Sequence, residues 1–175
     1  MKGFERKNRY FSLCGLNCAL CPMYVGGYCP SCGGAGNQSC RIAKCSIEQG
    51  GIEFCFECKK YPCEHYGEED VVDSFITYRN RRADAERAKK DIRSYVREQE
   101  EKEKILLWLL SECNDGRRKT LFCTAVNLLS LHQLEKVMNV LQEDKTELLK
   151  EKASLAATLL QEEAKKQGIS LSLRK

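Results

Sequence analysis

Residues 14–34 read CGLNCALCPMYVGGYCPSCGG, five cysteines in a stretch of twenty-one. Cys18 with Cys21 and Cys29 with Cys32 each enclose two residues, a spacing at which a tight turn aims both sulfurs and several backbone amides at one ion. Pro30 presets the backbone for such a turn, and Gly33 can take the positive φ that brings amides up to the second sulfur. Outward from this stretch, a third pair stands at Cys55 and Cys58, with Cys14, Cys40, Cys45 and Cys63 three to seven residues from a neighbour.

The 175-residue chain divides in composition. Its three prolines, ten of its twelve cysteines and eight of its twelve glycines lie between Cys14 and Cys63, whereas the leucine-rich stretches lie beyond Ile105. Between those cysteines the apolar residues are thinly spread, so burial alone is a poor way to order the segment. A structural zinc site supplies on the order of 10 kcal/mol and can replace the missing core. The expected fold is a small, loop-rich, zinc-ribbon-like cysteine module over residues 10–66, an all-α region over 68–168, and a loose tail, SLSLRK, within 169–175.

The basic amino terminus precedes no apolar run of signal-peptide length, and Ile105–Leu110 is too short to span a bilayer. A cytoplasmic setting without membrane association is expected. Thiols stay reduced there, so metal rather than disulfide is the expected use of the cysteines. The formal charge of +4 counts every cysteine as neutral. If eight thiolates held two zinc ions, it would fall to about zero, and global charge is no argument for a polyanionic partner.

All ten cysteines of the first half, Cys14, Cys18, Cys21, Cys29, Cys32, Cys40, Cys45, Cys55, Cys58 and Cys63, are candidate metal ligands, for two zinc ions. One partition assigns Cys29, Cys32, Cys40 and Cys45 to one ion and Cys18, Cys21, Cys55 and Cys58 to the other, leaving Cys14 and Cys63 spare. Cross-braced groupings use the same residues equally well. His65, two residues after Cys63, is close enough to replace a sulfur, whereas His132 reads as a helix-surface residue.

Cys14-Gly-Leu-Asn-Cys18-Ala-Leu-Cys21-Pro22-Met-Tyr24, Cys29-Pro-Ser-Cys32-Gly-Gly, Ser39-Cys40-Arg-Ile-Ala-Lys-Cys45 and Cys55-Phe-Glu-Cys58-Lys-Lys-Tyr61-Pro62-Cys63 together resemble the prokaryotic domain-of-unknown-function family numbered 3795. The likeness covers about Tyr10 to Tyr66 and continues more loosely through Asp115–Lys119. It implies metal binding and brings no agreed activity.

Cys14, Cys18 and Cys21 also have the C-x3-C-x2-C spacing of clusters that activate S-adenosylmethionine. Such enzymes need a partial βα barrel of roughly 200 residues or more. No alternation of strand and helix is present here, which argues against radical chemistry. An iron–sulfur cluster without that chemistry, held by these three and a distant fourth such as Cys63, is the alternative to zinc.

In the second half, Glu68, Glu69 and Asp70 ahead of Val71, Val72, Phe75, Ile76 and Tyr78 predict a helix starting near 69. A charged stretch, Arg79–Lys104, continues that helix or restarts it after a break near Arg82. Ile105–Leu110 is apolar on all sides and should be buried. Asn114-Asp115-Gly116 predicts a turn, and Thr120–Leu129 a short apolar helix with Cys123. Ser130 with Gln133 is a capping box, Asp144 with Glu147 repeats it, and the last helix runs to about Gln167 before Gly168. Such helices with short joints indicate a bundle or an irregular α domain. Cys113 and Cys123 read as core thiols.

The leading functional reading is a non-catalytic metal protein, an interaction module for a protein partner or a second copy of itself. Closed four-thiolate sites leave no open position for water, and no nucleophile and base stand at informative spacing, so no enzyme is recognised. Nucleic acid is a weaker candidate partner, through the basic stripe Arg79, Arg81, Arg82, Arg87, Lys89, Lys90, Arg93 and Arg97, which reads more simply as a solvated helix face. Arg117, Arg118 and Lys119 ahead of a helix start are a second weak anion site.

Overall fold

The computed structural model describes residues 2–36, 39–66 and 72–175. Seven α-helices lie among them, α1 (Pro22–Val25), α2 (Arg41–Glu48), α3 (Arg81–Lys90), α4 (Ile92–Glu112), α5 (Lys119–Leu128), α6 (Leu131–Glu143) and α7 (Leu149–Lys166), with 3-10 turns at Cys18–Leu20, Cys55–Glu57 and Glu64–Tyr66. No β-strand occurs among the described residues. The hairpins of a zinc ribbon are therefore missing from them; the pairs Cys18 and Cys21 and Cys55 and Cys58 sit on 3-10 turns, and Cys29 and Cys32 in coil and turn.

Helices α4 to α7 pack around one apolar core, with Leu106 and Leu109 of α4, Phe122 and Val126 of α5, Leu134 of α6 and Leu160 of α7 fully buried. Cys113 and Cys123 are buried in it, as core thiols. Leu106 and Leu109 meet the expectation for Ile105–Leu110, but Leu107 remains 52% exposed, because a helix packed on one side must turn some positions outward. Ser130 caps α6 as predicted: its hydroxyl accepts the Gln133 N–H at 3.3 Å while Gln133 Oε1 accepts the Ser130 N–H at 2.9 Å.

Three expectations for the helical half are corrected. Residues 68–71 of the predicted first helix lie outside the described residues, but 72–80 are turn and coil. Asp73 accounts for this. Its carboxylate accepts the Tyr78 N–H at 2.9 Å and the Arg174 N–H at 2.8 Å, so it folds the segment back on itself in place of a helical turn. Second, the charged stretch restarts as a helix at Arg81, in keeping with a break near Arg82, but it breaks again at Asp91. The Asp91 carboxylate caps α4 by accepting the Ser94 N–H at 3.0 Å, and α4 then runs unbroken through the apolar run. Third, Asp144 closes a turn onto Thr146, at 3.2 Å to its N–H, and α7 starts only at Leu149 without a side-chain cap.

The carboxyl-terminal residues are not loose. The Arg174 guanidinium lies 2.8 Å from Asp73 Oδ1, and the Arg79 guanidinium donates to the carbonyls of Ser170 and Ser172, the latter at 2.6 Å.

The cysteine-rich half is docked on the helices. Leu20 enters the helical core with no exposed surface, and Asn127 of α5 donates to the Leu20 carbonyl at 3.2 Å. Phe11 and Phe54 form a second cluster with Ala85 and Ala88 of α3 and Tyr95 of α4. Within it the Phe54 and Phe56 rings stack 5.0 Å apart, and Phe11 meets Tyr95 edge-on at 5.1 Å. Among the described residues no helix is long and apolar enough to cross a membrane.

Candidate metal centre

Helix α2 and the loop after it build a donor-rich cavity. Ser46 donates its hydroxyl to the Ile52 carbonyl at 2.8 Å, which folds residues 49–52 back along α2. Glu57 then accepts the N–H groups of Glu53 and Phe54, both at 3.0 Å, and so fixes the turn that carries Cys55 and Cys58. The Cys58 N–H closes that turn on the Cys55 carbonyl at 3.0 Å. Arg6 holds the loop from the other side through the Glu53 carbonyl, at 2.6 and 3.0 Å. A side chain at Gly33 would collide with Arg6 at 2.7 Å, and its φ of +89° suits glycine. A cis Tyr61–Pro62 bond precedes Cys63.

Cys45, Cys55, Cys58, Cys63 and His65 thereby line one cavity of about 20 Å³, walled by Ile42, Ile52 and Tyr61. Burial pushes the Cys55 thiol up to about 12, and the neighbouring Cys14, Cys63 and Cys45 add to it. Cys45 is raised for the same reason, with Cys63 among its neighbours.

A second gathering forms at the first motif. Burial raises Cys14 and Cys18, and Cys32 adds to both. Their sulfurs are met by polar hydrogens. Ser12 Oγ lies 3.1 Å from Cys14 Sγ, the Cys32 N–H is directed at Cys18, and those of Met23 and Tyr24 at Cys21. The last pair comes from α1, which Pro22 opens with a φ already helical. Cys29 is a further thiol whose charge acts on Cys21. Among the described residues, no three His, Cys, Asp or Glu side chains are arranged as ligands of one ion. These are pools of donors whose side chains would still have to turn inward.

The expected partition does not match these neighbourhoods. Cys45 joins Cys55, Cys58 and Cys63 instead of Cys29, Cys32 and Cys40, while Cys18 neighbours Cys14 and Cys32 instead of Cys55 and Cys58. The helix start gives the reason, since Cys40 is the N-cap of α2, with extended backbone, and Cys45 lies within the helix. Cys40 is exposed at the start of α2 and its sulfur accepts the Ala43 N–H at 3.3 Å, whereas Cys45 faces the returning loop. Cys63, set aside as a spare, lines the cavity, as does His65, and His132 lies on an exposed helix face.

The basic stripe is largely engaged within the molecule. Arg79 holds the carboxyl terminus, Arg87 pairs with Glu98 and Asp84, and Lys89 lies 5.7 Å from the Tyr61 ring centre. In the other basic cluster Arg118 reaches Asp115 at 3.6 Å and Lys119 lies over the Tyr28 ring.

Sequence reasoning missed the buried polar cluster between the two halves. Asn17 donates to Asp84 at 3.0 Å and accepts from the Tyr95 hydroxyl at 2.7 Å, all three being buried. These residues are 67 and 78 positions apart along the chain, and a carboxylate in a charged stretch such as Asp84 reads locally as solvated. Comparison of the chain with protein-family models, with curated proteins and with solved structures found no match.

Proposed function

We propose that the protein binds metal through its amino-terminal cysteines, most simply two zinc ions, and that the metal locks the loops docked on the helices into a non-catalytic interaction surface. The observation that carries this reading is the convergence of Cys45, Cys55, Cys58, Cys63 and His65 on one cavity of about 20 Å³, near the room one water or one ion needs. The donor set fits the group. Thiolates with an imidazole in reserve are soft ligands of the kind zinc takes, and four of them close its coordination sphere. Buried thiols that hold their protons at neutral pH would release them to the metal, which makes uptake pH-dependent.

Cys14, Cys18 and Cys32, with Cys21 and Cys29 beside them, would furnish the second centre. The reading includes membership of the family numbered 3795, carried by the same ten cysteines, and a reducing, cytoplasmic setting that keeps them free. A protein partner or a second copy is favoured over nucleic acid, because Arg79, Arg87 and Lys89 of the basic stripe are engaged in internal contacts.

An iron–sulfur or redox role for Cys14, Cys18 and Cys21 is the second reading. Its support is the set of backbone N–H groups directed at these sulfurs, since such hydrogen bonds set cluster potentials. Metal and sulfide analysis of anaerobically purified protein tests both. Two zinc per chain, falling to one in Cys58→Ala, is the expected result. Iron with acid-labile sulfide and a brown colour would select the second reading, and a metal-free, folded chain would remove both.

A further inference from the structure

Helix α3, the first half of α4 and the α5–α6 joint enclose a cleft of about 640 Å³ that contains no cysteine. Its volume lies within the range of small-molecule sites, about 300–1,000 Å³. The charges that line it fall into two sets. On the floor, Arg87 pairs with Asp84 at 3.7 Å and with Glu98, and Lys102 lies 3.5 Å from Glu98, so two cations balance two anions. Asp84 and Lys102 are only 7% and 5% exposed. Burial raises the Asp84 carboxyl and lowers the Lys102 amine, so desolvation outweighs the partners of each.

Arg87 is half-exposed, so Asp84 and Lys102 are the buried charges of this set, and a buried charge gains little net stability from a partner that water still reaches. Asp84 is also held from behind by Asn17, whereas the buried Lys102 amine under the cleft fits a cation held in advance for a group that enters it. At the rim, Glu101 is matched by Lys104 at 2.7 Å. None of these pairs uses Arg97 or His132, which line the same cleft with the hydroxyl-bearing Ser94. With the floor and Glu101 balanced, the rim guanidinium decides the sign of the ligand.

We infer that this cleft binds a small polar molecule bearing an oxyanion, a carboxylate or a phosphate, which Arg97 and His132 receive at the rim while its polar body lies over Lys102 and Asp84. The inference shares no residue with the proposed metal centres.

Titration of the full chain, as purified, with inorganic phosphate, acetate and ethylammonium, followed by amide NMR shifts at Ser94, Ser130 and His132, tests it. Saturable shifts with phosphate or acetate and none with ethylammonium are expected, and the stronger of the two anions identifies the oxyanion. Arg97→Gln, an exposed position, should weaken that binding about tenfold or more and leave the circular dichroism spectrum unchanged. Lys102→Met should weaken it as well, and its folding is checked the same way. Shifts that stay linear to about 50 mM, a saturable response to ethylammonium, or equal anion binding by Arg97→Gln would overturn the inference.

Discussion

Asp73 shows how one side chain can redirect a stretch of backbone. Its carboxylate is fully enclosed and accepts from Tyr78, from the Arg174 N–H and from the Arg174 guanidinium. Burial by itself would raise this carboxyl, but the Arg174 contacts and the Tyr78 N–H bring it down to about 2. A depressed carboxylate stabilises the fold above its unfolded value of 3.8, and that contribution is lost as the pH falls toward about 2. Asp73→Asn should therefore flatten the acid limb of stability in that window. At pH 7 it should lower stability by about 1–3 kcal/mol, measured by urea unfolding, because charge-assisted hydrogen bonds are replaced by neutral ones. Gln99 is the opposite case. It is 1% exposed, and its Oε1 is buried with no hydrogen-bond partner among the described residues. Gln99→Leu should be neutral or stabilising by about 1 kcal/mol in the same measurement, because an unsatisfied acceptor is replaced by packing atoms.

At the scale of the element, caps decided where helices begin. The Ser130 and Gln133 pair was legible because both halves of the box lie three residues apart ahead of an apolar run. The Asp144 and Glu147 pair has the same spacing without the helix start, since Asp144 bonds to Thr146 instead. Asp91 was hidden in a run of charges, yet it ends α3 and opens the long α4. Asp91→Ala should lower stability by about 1 kcal/mol, the usual worth of an N-cap, whereas Glu147→Ala should change it by less than about 0.5 kcal/mol. Equal thermal shifts for the two variants would contradict this assignment. The same geometry explains why the cysteine groups were misjudged. Closeness in sequence suggested that Cys40 and Cys45 act together, but Cys40 is the N-cap of α2 and Cys45 lies within the helix.

For the whole molecule, the two compositional halves do not form two independent bodies. Leu20 lies in the core of α4 to α7, Asn17 is bonded to α3 and α4, and Phe11 and Phe54 close over α3. Leu20→Ala should cost about 3 kcal/mol and lower the melting of the helical signal, since the deleted side chain belongs to that core. An unchanged helical melt would show that the halves are separate. By the same coupling, a chelator that strips proposed zinc should lower the helical melting temperature as well as disorder the loops.

The sequence by itself determined that the chain has a helical half with a leucine core, where α5 and α6 lie, and that ten thiols crowd its first third. Those features follow from local periodicity, capping and spacing, which act over a few residues. Which thiols face one another, the capture of residues 170–174 by Asp73 and Arg79, the burial of Asn17 and Asp84 between the halves and that of Lys102 among the helices were decided only in the tertiary structure. They depend on contacts between residues tens of positions apart. Their energy comes from burial and desolvation, and these exist only once the helices have packed.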